Sequence, residues 1–457
     1  MDSRKATSGD HNRHAPFPDC VSKGVKPSRS LAAVAKTRCS KKCATASEAP
    51  RSGEAQHRAW ADLPSDILAI VVSRLPLVED RARLRSVCRA WRAAARLHGR
   101  PPPPLPLLVL SDFSFASFCA EGTLTGVRRR VPLPDRETGA ASSVRCVGSF
   151  EGWLVAVKLN KGRYFGDLRC FLMNAFSQDA VRLPPPSAPI RSGDAYSRSL
   201  PIINGSGVVN CAVNTAQCVM SFCKVVLSSS PDSGSKCVVV AISVVKSEAK
   251  LALWRSGMKS WCICDGGCTT EFVDIIFCQE KLYMLSINES TVNLFAFEIS
   301  DDDDCLMVSR VECREIERPV VMDGYCEMWS IVEWRGKLSM LVAYTHDAEF
   351  WQLITDVRVF EANLSTNPVR LIEIESLDGD CICLSPCSSK SFRSCDYDGV
   401  EGDLIYFING CIYPDKNVFV YNMKDGSMAP VAEDIPEDKF WAPDGRLMNP
   451  TWLFPPE

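Results

Sequence analysis

The apolar positions near the amino end of the chain have helical spacing. They recur at intervals of three and four residues: Leu63, Ile67, Leu68, Val71 and Leu75. This spacing predicts a short helix with one apolar stripe, with Asp62 as its N-cap and Pro64 in its first turn.

A second apolar stripe follows at the same spacing: Leu84, Val87, Cys88, Trp91 and Ala95. Gly99 and the four prolines after it are expected to end this helical segment, so that two or three short helices fit here. About forty residues bury too little apolar surface for comfortable stability alone, so the stripes favour a partner surface. The alternative is a helical cap that packs on the domain that follows.

The remainder of the chain has short apolar runs separated by Gly, Asp, Asn and Ser, which is typical of β-strands. Similar strands recur at residues 152–157, 250–254, 281–285, 337–342 and 403–407, and several are followed by a second strand, as at 292–297, 357–360 and 418–421. A hairpin that recurs every few dozen residues, without long helices between, predicts the blades of a β-propeller. A pair of β-sandwiches is the alternative.

These patterns divide the chain into four parts. Residues 1–57 are rich in Ser, Ala, Lys and Arg and lack periodicity, which predicts a disordered basic arm. Residues 58–100 form the helical module, 101–106 a stiff proline spacer, and 107–457 a β-rich domain. The expected class is therefore α+β and multidomain, with a small helical module followed by a mainly-β, propeller-like domain.

Composition changes this interpretation little. The chain has 457 residues, is 46% hydrophobic and has a net charge of −3, which allows two or three domains with a sizeable core. Its longest apolar runs, 237–245 and 105–110, are too short to cross a bilayer, and its amino end lacks a secretory apolar segment. We expect a protein of the cytoplasm or nucleus. Basic residues at 36–42 fit a nuclear import patch or a transit peptide, and acidic residues in the arm argue against transit.

The 23 cysteines are expected to be reduced thiols that fill core positions, because their number is odd and no export signal accompanies them. Two groups share one spacing: Cys262, Cys264 and Cys268, and Cys381, Cys383 and Cys387. Alternate residues of a strand point to one face, and no paired histidine completes either group. We therefore predict no metal site.

Candidate catalytic groups are sparse. His346 is the only histidine in the β-rich part, so a histidine-based triad has little support. The residues 301–304, all aspartate, fit a solvated hairpin tip and not a calcium loop. Asp323, Glu327, Asp356 and Glu375 are available acids, but sequence alone does not bring them together. We expect no catalytic residue, no cofactor and no enzymatic activity.

The residues of the helical module resemble a known family. The motif comprises Leu63-Pro64-x-Asp66-Ile67-Leu68, then Arg74-Leu75-Pro76, and finally Val87-Cys88-x-x-Trp91-Arg92. This ordered combination resembles the F-box, a small helical unit that binds a Skp1-type adaptor and, through it, a cullin and a ubiquitin-conjugating enzyme. The resemblance implies core or adaptor-facing roles for Leu63, Pro64, Ile67, Leu68, Val71, Leu75, Val87, Cys88 and Trp91.

Arginines also recur at helical spacing in this module: Arg81, Arg85, Arg89, Arg92 and Arg96. Such a stripe could contact phosphates, but base-reading and stacking groups are missing, so nucleic acid is disfavoured as a partner. A solvated face, or steering toward the acidic adaptor that the resemblance implies, explains the stripe better.

The β-rich part resembles the kelch-like C-terminal domain of unknown function of plant F-box proteins. The marks are residues 152–154, 174 with 183–185, 274–277 before 281–283, 334–338, and 405–407 before 419–421. Together the resemblances imply a substrate-recognition subunit of a Skp1–cullin ubiquitin ligase that binds an unknown target protein and no membrane. The alternatives are a β-propeller enzyme or small-ligand sensor with a helical cap, and an F-box protein that acts outside degradation.

Overall fold

The computed structural model describes the chain in segments between Trp60 and Phe454. They are residue 60 and residues 63–73, 78–98, 107–110, 113–118, 124–131, 144–158, 169–184, 198–204, 207–213, 222–233, 237–245, 248–265, 272–288, 291–302, 305–319, 325–346, 354–396, 400–408, 418–430 and 450–454. The predicted arm at 1–57, the N-cap Asp62, Leu75 and the proline spacer at 101–106 lie outside the described residues.

Three short helices lie before the strands: α1 Ser65–Ser73, α2 Val78–Val87 and α3 Arg89–His98. The carbonyl oxygen of Pro64 accepts hydrogen bonds from the backbone N–H groups of Ile67 and Leu68, which starts α1. The last helix ends directly before Gly99, as the pattern predicts. No helix among the described residues is long and apolar enough to span a membrane.

The helices share a small core of their own. Val72, Leu84 and Ala95 are buried together, and the half-buried Trp91 packs against them while its Nε1 donates to the carbonyl oxygen of Trp60 at 2.9 Å. The second sequence stripe is divided, because α2 ends at Val87 and α3 begins at Arg89. Val87 is therefore exposed and does not continue the α3 face.

The strands cover most of the rest of the described chain. In order they are β1 Leu107–Val109, β2 Ser114–Phe118, β3 Leu124–Arg130, β4 Val144–Phe150, β5 Trp153–Lys158, β6 Arg169–Asn174, β7 Ala180–Leu183, β8 Arg198–Asn204, β9 Gly207–Val213, β10 Phe222–Leu227, β11 Val238–Val245, β12 Glu248–Arg255, β13 Cys262–Asp265, β14 Phe272–Cys278, β15 Lys281–Ile287, β16 Val292–Asp302, β17 Cys305–Ile316, β18 Cys326–Trp334, β19 Lys337–Thr345, β20 Ile354–Asn363, β21 Arg370–Ile374, β22 Asp380–Leu384, β23 Ser389–Arg393, β24 Leu404–Ile408, β25 Val418–Asn422, β26 Met428–Pro430 and β27 Thr451–Leu453.

Among the described residues these strands form six sheets. Their strand orders are β27-β1-β2-β3, β4-β5-β6-β7, β10-β11-β12-β13, β14-β15-β16-β17-β8-β9, β18-β19-β20-β21 and β23-β22-β24-β25-β26. Most neighbouring strands are antiparallel, with β17–β8 and β22–β24 as parallel pairs. We refer to the sheets below as the first to the sixth, in this order.

The sheets follow one another around a ring. A separate apolar cluster lies between the second and third sheets, the third and fourth, the fourth and fifth, and the fifth and sixth. A further cluster joins the sixth, first and second sheets. The edge strands β27, β4, β10, β14, β18 and β23 contact one another in succession toward the inside of the ring. This is the β-propeller that the recurring hairpins predict, and the sandwich alternative is wrong.

The carboxyl end of the described chain closes the ring. β27 pairs with β1, with Trp452 opposite Leu108, so one sheet combines strands from both ends of the domain. Trp452 is completely buried, and its Nε1 donates to the carbonyl oxygen of Leu384 in the sixth sheet at 2.7 Å. Thr451 adds a hydroxyl contact at 2.9 Å with Ser388, in the turn between β22 and β23 of the sixth sheet.

Other tryptophans bridge neighbouring sheets in the same way. Trp153 of the second sheet donates at 2.9 Å to Asp232, which lies in the connection between β10 and β11 of the third, and Trp334 of the fifth donates to Asp380 of the sixth at 3.0 Å. A buried indole N–H needs an acceptor, so each of these tryptophan side chains fixes the position of the next sheet as well as filling space.

A buried ion pair joins the inner strands of three sheets. Lys224 of β10 and Asp274 of β14 have side chains that are 3% and 9% exposed, and the Nζ–Oδ1 distance is 2.5 Å. Asp274 Oδ1 also accepts from the backbone N–H of Ile275, and its Oδ2 accepts from the N–H of Ile331 in β18 at 3.1 Å. These bonds compensate for burying the carboxylate.

Trp452→Ala is expected to lower the free energy of unfolding by about 3–5 kcal/mol, because it removes a fully buried indole and its hydrogen bond at the ring closure. Denaturant unfolding followed by circular dichroism measures the change. Trp60→Ala is the matched control, since Trp60 is 76% exposed, and it should cost under about 0.5 kcal/mol. Equal losses in the two variants would contradict this account of the closure.

Asp274→Asn is expected to cost about 3–5 kcal/mol of stability, because it leaves the buried ammonium of Lys224 without a counter-charge. The matched control is Asp378→Asn, which removes the charge of an exposed carboxylate that contacts Arg335 at 2.7 Å. A surface pair of that kind contributes about 0–1 kcal/mol. A shift in the urea midpoint no larger for Asp274→Asn than for the control would refute the structural role of the buried pair.

Candidate functional site

The two ends of the propeller differ. The inner hairpins β4–β5, β14–β15 and β18–β19 all turn at one end, which we call the turn end. Their two-residue turns, at 151–152, 279–280 and 335–336, have positive φ at both positions, as a type I′ turn requires. Gly152 and Gly336 suit this backbone, whereas Glu280 adopts it with a side chain. The opposite end, where β14 and β18 begin, is the far end.

The helical module contacts the turn end. Arg83 of α2 donates from Nε to the carbonyl oxygen of Phe176 at 3.2 Å. Phe176 follows β6, and the adjacent Ala175 N–H donates to the carbonyl oxygen of Gly152 in the β4–β5 turn. The far end is therefore on the opposite side of the propeller from the helices.

The module exposes most of the large apolar side chains that the described chain leaves in solvent. Trp60, Ile67, Ile70 and Val87 are 76%, 45%, 49% and 56% exposed, and Ile372 of the propeller is 52% exposed. Ile67 and Ile70 lie three residues apart on α1, so they share one side of the helix. Leu68 and Val72 of the same helix are buried. We call Trp60, Ile67, Ile70 and Val87 the exposed apolar set.

The F-box candidates fall into groups by exposure. Leu68 is buried, Leu63, Val71, Cys88 and Trp91 are half-buried, and Pro64, Ile67 and Val87 are exposed. Leu75 lies outside the described residues. The assignment of individual residues to the core or to the adaptor surface stays a prediction, with Leu68 best suited to the core and Ile67 best suited to the surface.

Arg83 and Arg92 of the module make contacts within the chain. Arg83 bonds Phe176 and also pairs with Asp80 at 3.1 Å, and Arg92 donates to the carbonyl oxygen of Arg85 at 3.1 Å. The break at Cys88 divides the predicted basic stripe between two helices. Arg83 thus helps to attach the module to the propeller.

A cavity of about 770 Å³ lies along the ring axis toward the turn end. Charged side chains of both signs line it: Glu151, Glu280, Glu333, Lys224, Arg335 and Lys390. Lys224 is engaged by Asp274, and Arg335 is bonded to Asp378 and Asp380. The lining therefore mixes both signs, and its cations Lys224 and Arg335 are paired with aspartates outside the wall, so its charge indicates no particular class of ligand.

A second pocket, of about 390 Å³, lies at the far end between the fourth, fifth and sixth sheets. Its walls are mostly apolar, with Phe272, Ile287, Trp329 and Phe407 among them. Its carboxylates are Asp274, whose two oxygens are bonded, and Glu327. Glu327 Oε2 accepts from Trp329 Nε1 at 2.9 Å, but its Oε1 is buried and accepts no hydrogen bond from the residues described. We call this site the far-end pocket.

The cysteine groups follow the strand geometry that the sequence predicts. Cys381 and Cys383 lie on β22, both fully buried in one apolar cluster, as alternate residues of a strand should be. Burial raises the pKa of Cys381 to about 12 and that of Cys383 well above its ordinary value. Protonated thiols are poor metal ligands. Within the described residues no group of three or more His, Cys, Asp or Glu could hold a metal ion, and Cys268 lies outside them.

The acids that sequence reasoning left open do not converge. Asp356 pairs with Arg358 at 3.1 Å, Glu375 is exposed, and Asp323 lies outside the described residues. His346 is exposed, with its ring centroid 4.0 Å from that of Tyr325. Of these acids, Glu327 lines one of the two pockets described above.

Sequence reasoning missed three features of these sites. Ile70 was not among the candidates, although it lies three residues after Ile67. Lys224 was not singled out either, although a lysine inside an apolar strand signals a buried partner. Glu327 was named only as an available acid, since the pocket requires three sheets that are distant in sequence.

Comparisons with known proteins agree with both parts of the fold. The F-box domain model matches residues 60–101, and the KIB1-4 beta-propeller model matches residues 117–422. No curated protein sequence matches the chain significantly.

Solved structures resemble the chain only distantly. A DUF4784 family protein from Bacteroides caccae has a TM-score of 0.34 at 10% identity, with 78% of this chain and 75% of that chain covered. A structure from a study of two prolyl endopeptidases has a TM-score of 0.29 at 10% identity, with 79% of this chain and 39% of that chain covered. A GH43_1 enzyme from Xanthomonas citri has a TM-score of 0.27 at 8% identity, over 65% and 93%.

The two family models together span the helices and most of the strands described above. The propeller model alone extends over more than half of the chain. The chain therefore belongs to the KIB1-4 β-propeller family and carries an F-box domain ahead of its propeller.

Proposed function

We propose that this protein is the substrate-recognition subunit of a Skp1–cullin-type ubiquitin ligase. The F-box binds the Skp1-type adaptor, and the propeller binds a target protein. The chain itself is not catalytic, since a ligase subunit of this kind acts by bringing a target lysine close to a charged conjugating enzyme.

The exposure of Ile67 and Ile70 is the observation that carries this proposal. Both are large aliphatic side chains on one side of α1, and both are about half exposed although Leu68 and Val72 of that helix are buried. A helix that served only as a cap would direct its apolar stripe into the propeller. Complete burial of a fully exposed side chain of this size is favourable by about 1.5–3 kcal/mol, so removing the exposed half of each from water on binding an adaptor would contribute about 1 kcal/mol.

The arrangement of the two domains supports the same function. The helices contact the turn end through Arg83 and Phe176, so the far end is left for another molecule. A subunit that connects two partners needs two separate surfaces, and the exposed apolar set and the far end of the propeller supply them.

Adaptor binding tests the proposal. The double variant Ile67→Ala/Ile70→Ala is expected to weaken binding to a purified Skp1-type adaptor by about 2 kcal/mol, about thirtyfold in Kd, because it truncates two exposed anchor side chains. Isothermal titration calorimetry with the full chain measures the change.

Ile372→Ala is the matched control, because Ile372 is equally exposed but lies on β21 of the propeller. It should leave the adaptor Kd unchanged, and thermal unfolding of all three proteins should agree. Failure of the folded wild-type chain to bind any Skp1-type adaptor would reject the proposed function. Equal binding by the double variant would reject α1 as the contact surface.

A further inference from the structure

We infer that the far-end pocket recognises a basic side chain, lysine or arginine, that the target protein presents to the propeller. This inference rests on the proposed function, since it specifies the chemistry by which the propeller selects its target. The pocket, the state of its carboxylates and its position each contribute to the argument.

The size and walls of the pocket suit a long side chain with an apolar stem. Its volume of about 390 Å³ lies within the range of about 300–1,000 Å³ usual for ligand sites. Phe272, Ile287, Leu341 and Phe407, from three different sheets, supply apolar wall. The methylene stem of a lysine or arginine packs well on such a surface while its charged end reaches a polar group.

The polar group in this pocket is the carboxylate of Glu327. Trp329 Nε1 holds Oε2 at 2.9 Å, which fixes the orientation of the group. The other oxygen, Oε1, is buried and accepts no hydrogen bond from the described residues. A buried acceptor without a donor is costly, and a charged one more so, so a ligand that donates to Oε1 would gain this energy on binding.

The charges around the pocket favour a cation over a neutral donor. Asp274 and Glu327 are the charged residues in its lining, and both are acids. Asp274 is neutralised by Lys224 and bonded through both oxygens. Glu327 is therefore the carboxylate of this lining that has no ion pair among the described residues and one oxygen without a hydrogen bond. A bond from a cation to such an oxygen is charge-assisted and stronger than a neutral one.

The neighbouring tyrosine does not satisfy this oxygen. Tyr344 lies opposite Glu327 in the β18–β19 register, and its hydroxyl is buried. It forms no hydrogen bond with Glu327 or with any other residue described. Burial raises the pKa of Tyr344, and the charge of Glu327 adds to the effect, so the phenol stays neutral.

The position of the pocket agrees with a role in target binding. It lies at the far end, where β14 and β18 begin, whereas Arg83 attaches the helices to the turn end. An adaptor on the helices would leave the far-end pocket available to a target.

Peptide probes with a matched neutral isostere test the inference. The probes are acetyl-Ala-X-Ala-amide, where X is arginine, lysine or citrulline, and citrulline keeps the shape of arginine without its charge. Ligand-observed NMR titration with the full-length chain should give a Kd at least tenfold lower for the arginine or lysine peptide than for the citrulline peptide. Glu327→Gln should abolish this preference, since it removes the charge but keeps an acceptor for Trp329.

Glu375→Gln is the control, because Glu375 is an exposed carboxylate near the same sheet that lies outside the pocket, and it should retain the preference. Equal or absent binding of the three peptides by folded wild type would overturn the inference, as would a preference that survives Glu327→Gln. The adaptor Kd of the same preparations distinguishes failure of this inference from failure of the proposed function. Glu327→Gln should bind the adaptor as the wild type does, whereas loss of adaptor binding by the wild type would count against the proposed function.

Discussion

Closure of the propeller by its own carboxyl-terminal strand is the constraint on which the rest of the structure depends. β27 completes the first sheet beside β1, and Trp452 joins that sheet to the sixth through its buried indole and the carbonyl oxygen of Leu384. Every sheet in the ring then buries its faces against two neighbours. Because the propeller completes its own core, it does not need the apolar residues of the helices, and Ile67 and Ile70 remain exposed to solvent.

The same ring separates the two proposed binding surfaces. Arg83 attaches the helices at the turn end, whereas the far-end pocket lies where the inner strands begin. Lys224 and Asp274 hold three inner strands together between these ends. Because Asp274 is paired with Lys224, Glu327 is the carboxylate of the far-end pocket that has an oxygen without a hydrogen bond from the described residues. The two carboxylates that line the far-end pocket thus differ: both oxygens of Asp274 are bonded, whereas Glu327 accepts a bond at Oε2 and none at Oε1 from the described residues.

The sequence predicts the local elements well, because periodicity reports which face of an element is buried. The recurring apolar runs are strands that pair as predicted, and the helical segment ends before Gly99 as expected. The ring closure was not predicted, since β27 has only three residues and its partner is more than 300 positions away in sequence. The exposure of Val87 was missed because spacing alone does not reveal the helix break at Cys88. The far-end pocket could not be predicted, because its walls come from three sheets that are distant from one another in sequence.

The central claim is that α1 presents an apolar surface to a second polypeptide while the propeller is complete without it. Hydroxyl-radical footprinting of the full chain, with and without a purified Skp1-type adaptor, measures this directly at single side chains. The account predicts that Ile67 and Ile70 are modified in the chain alone and protected in the complex, while Ile372 is modified equally in both. Protection of Ile67 and Ile70 in the chain alone, or their unchanged modification in a formed complex, would contradict it.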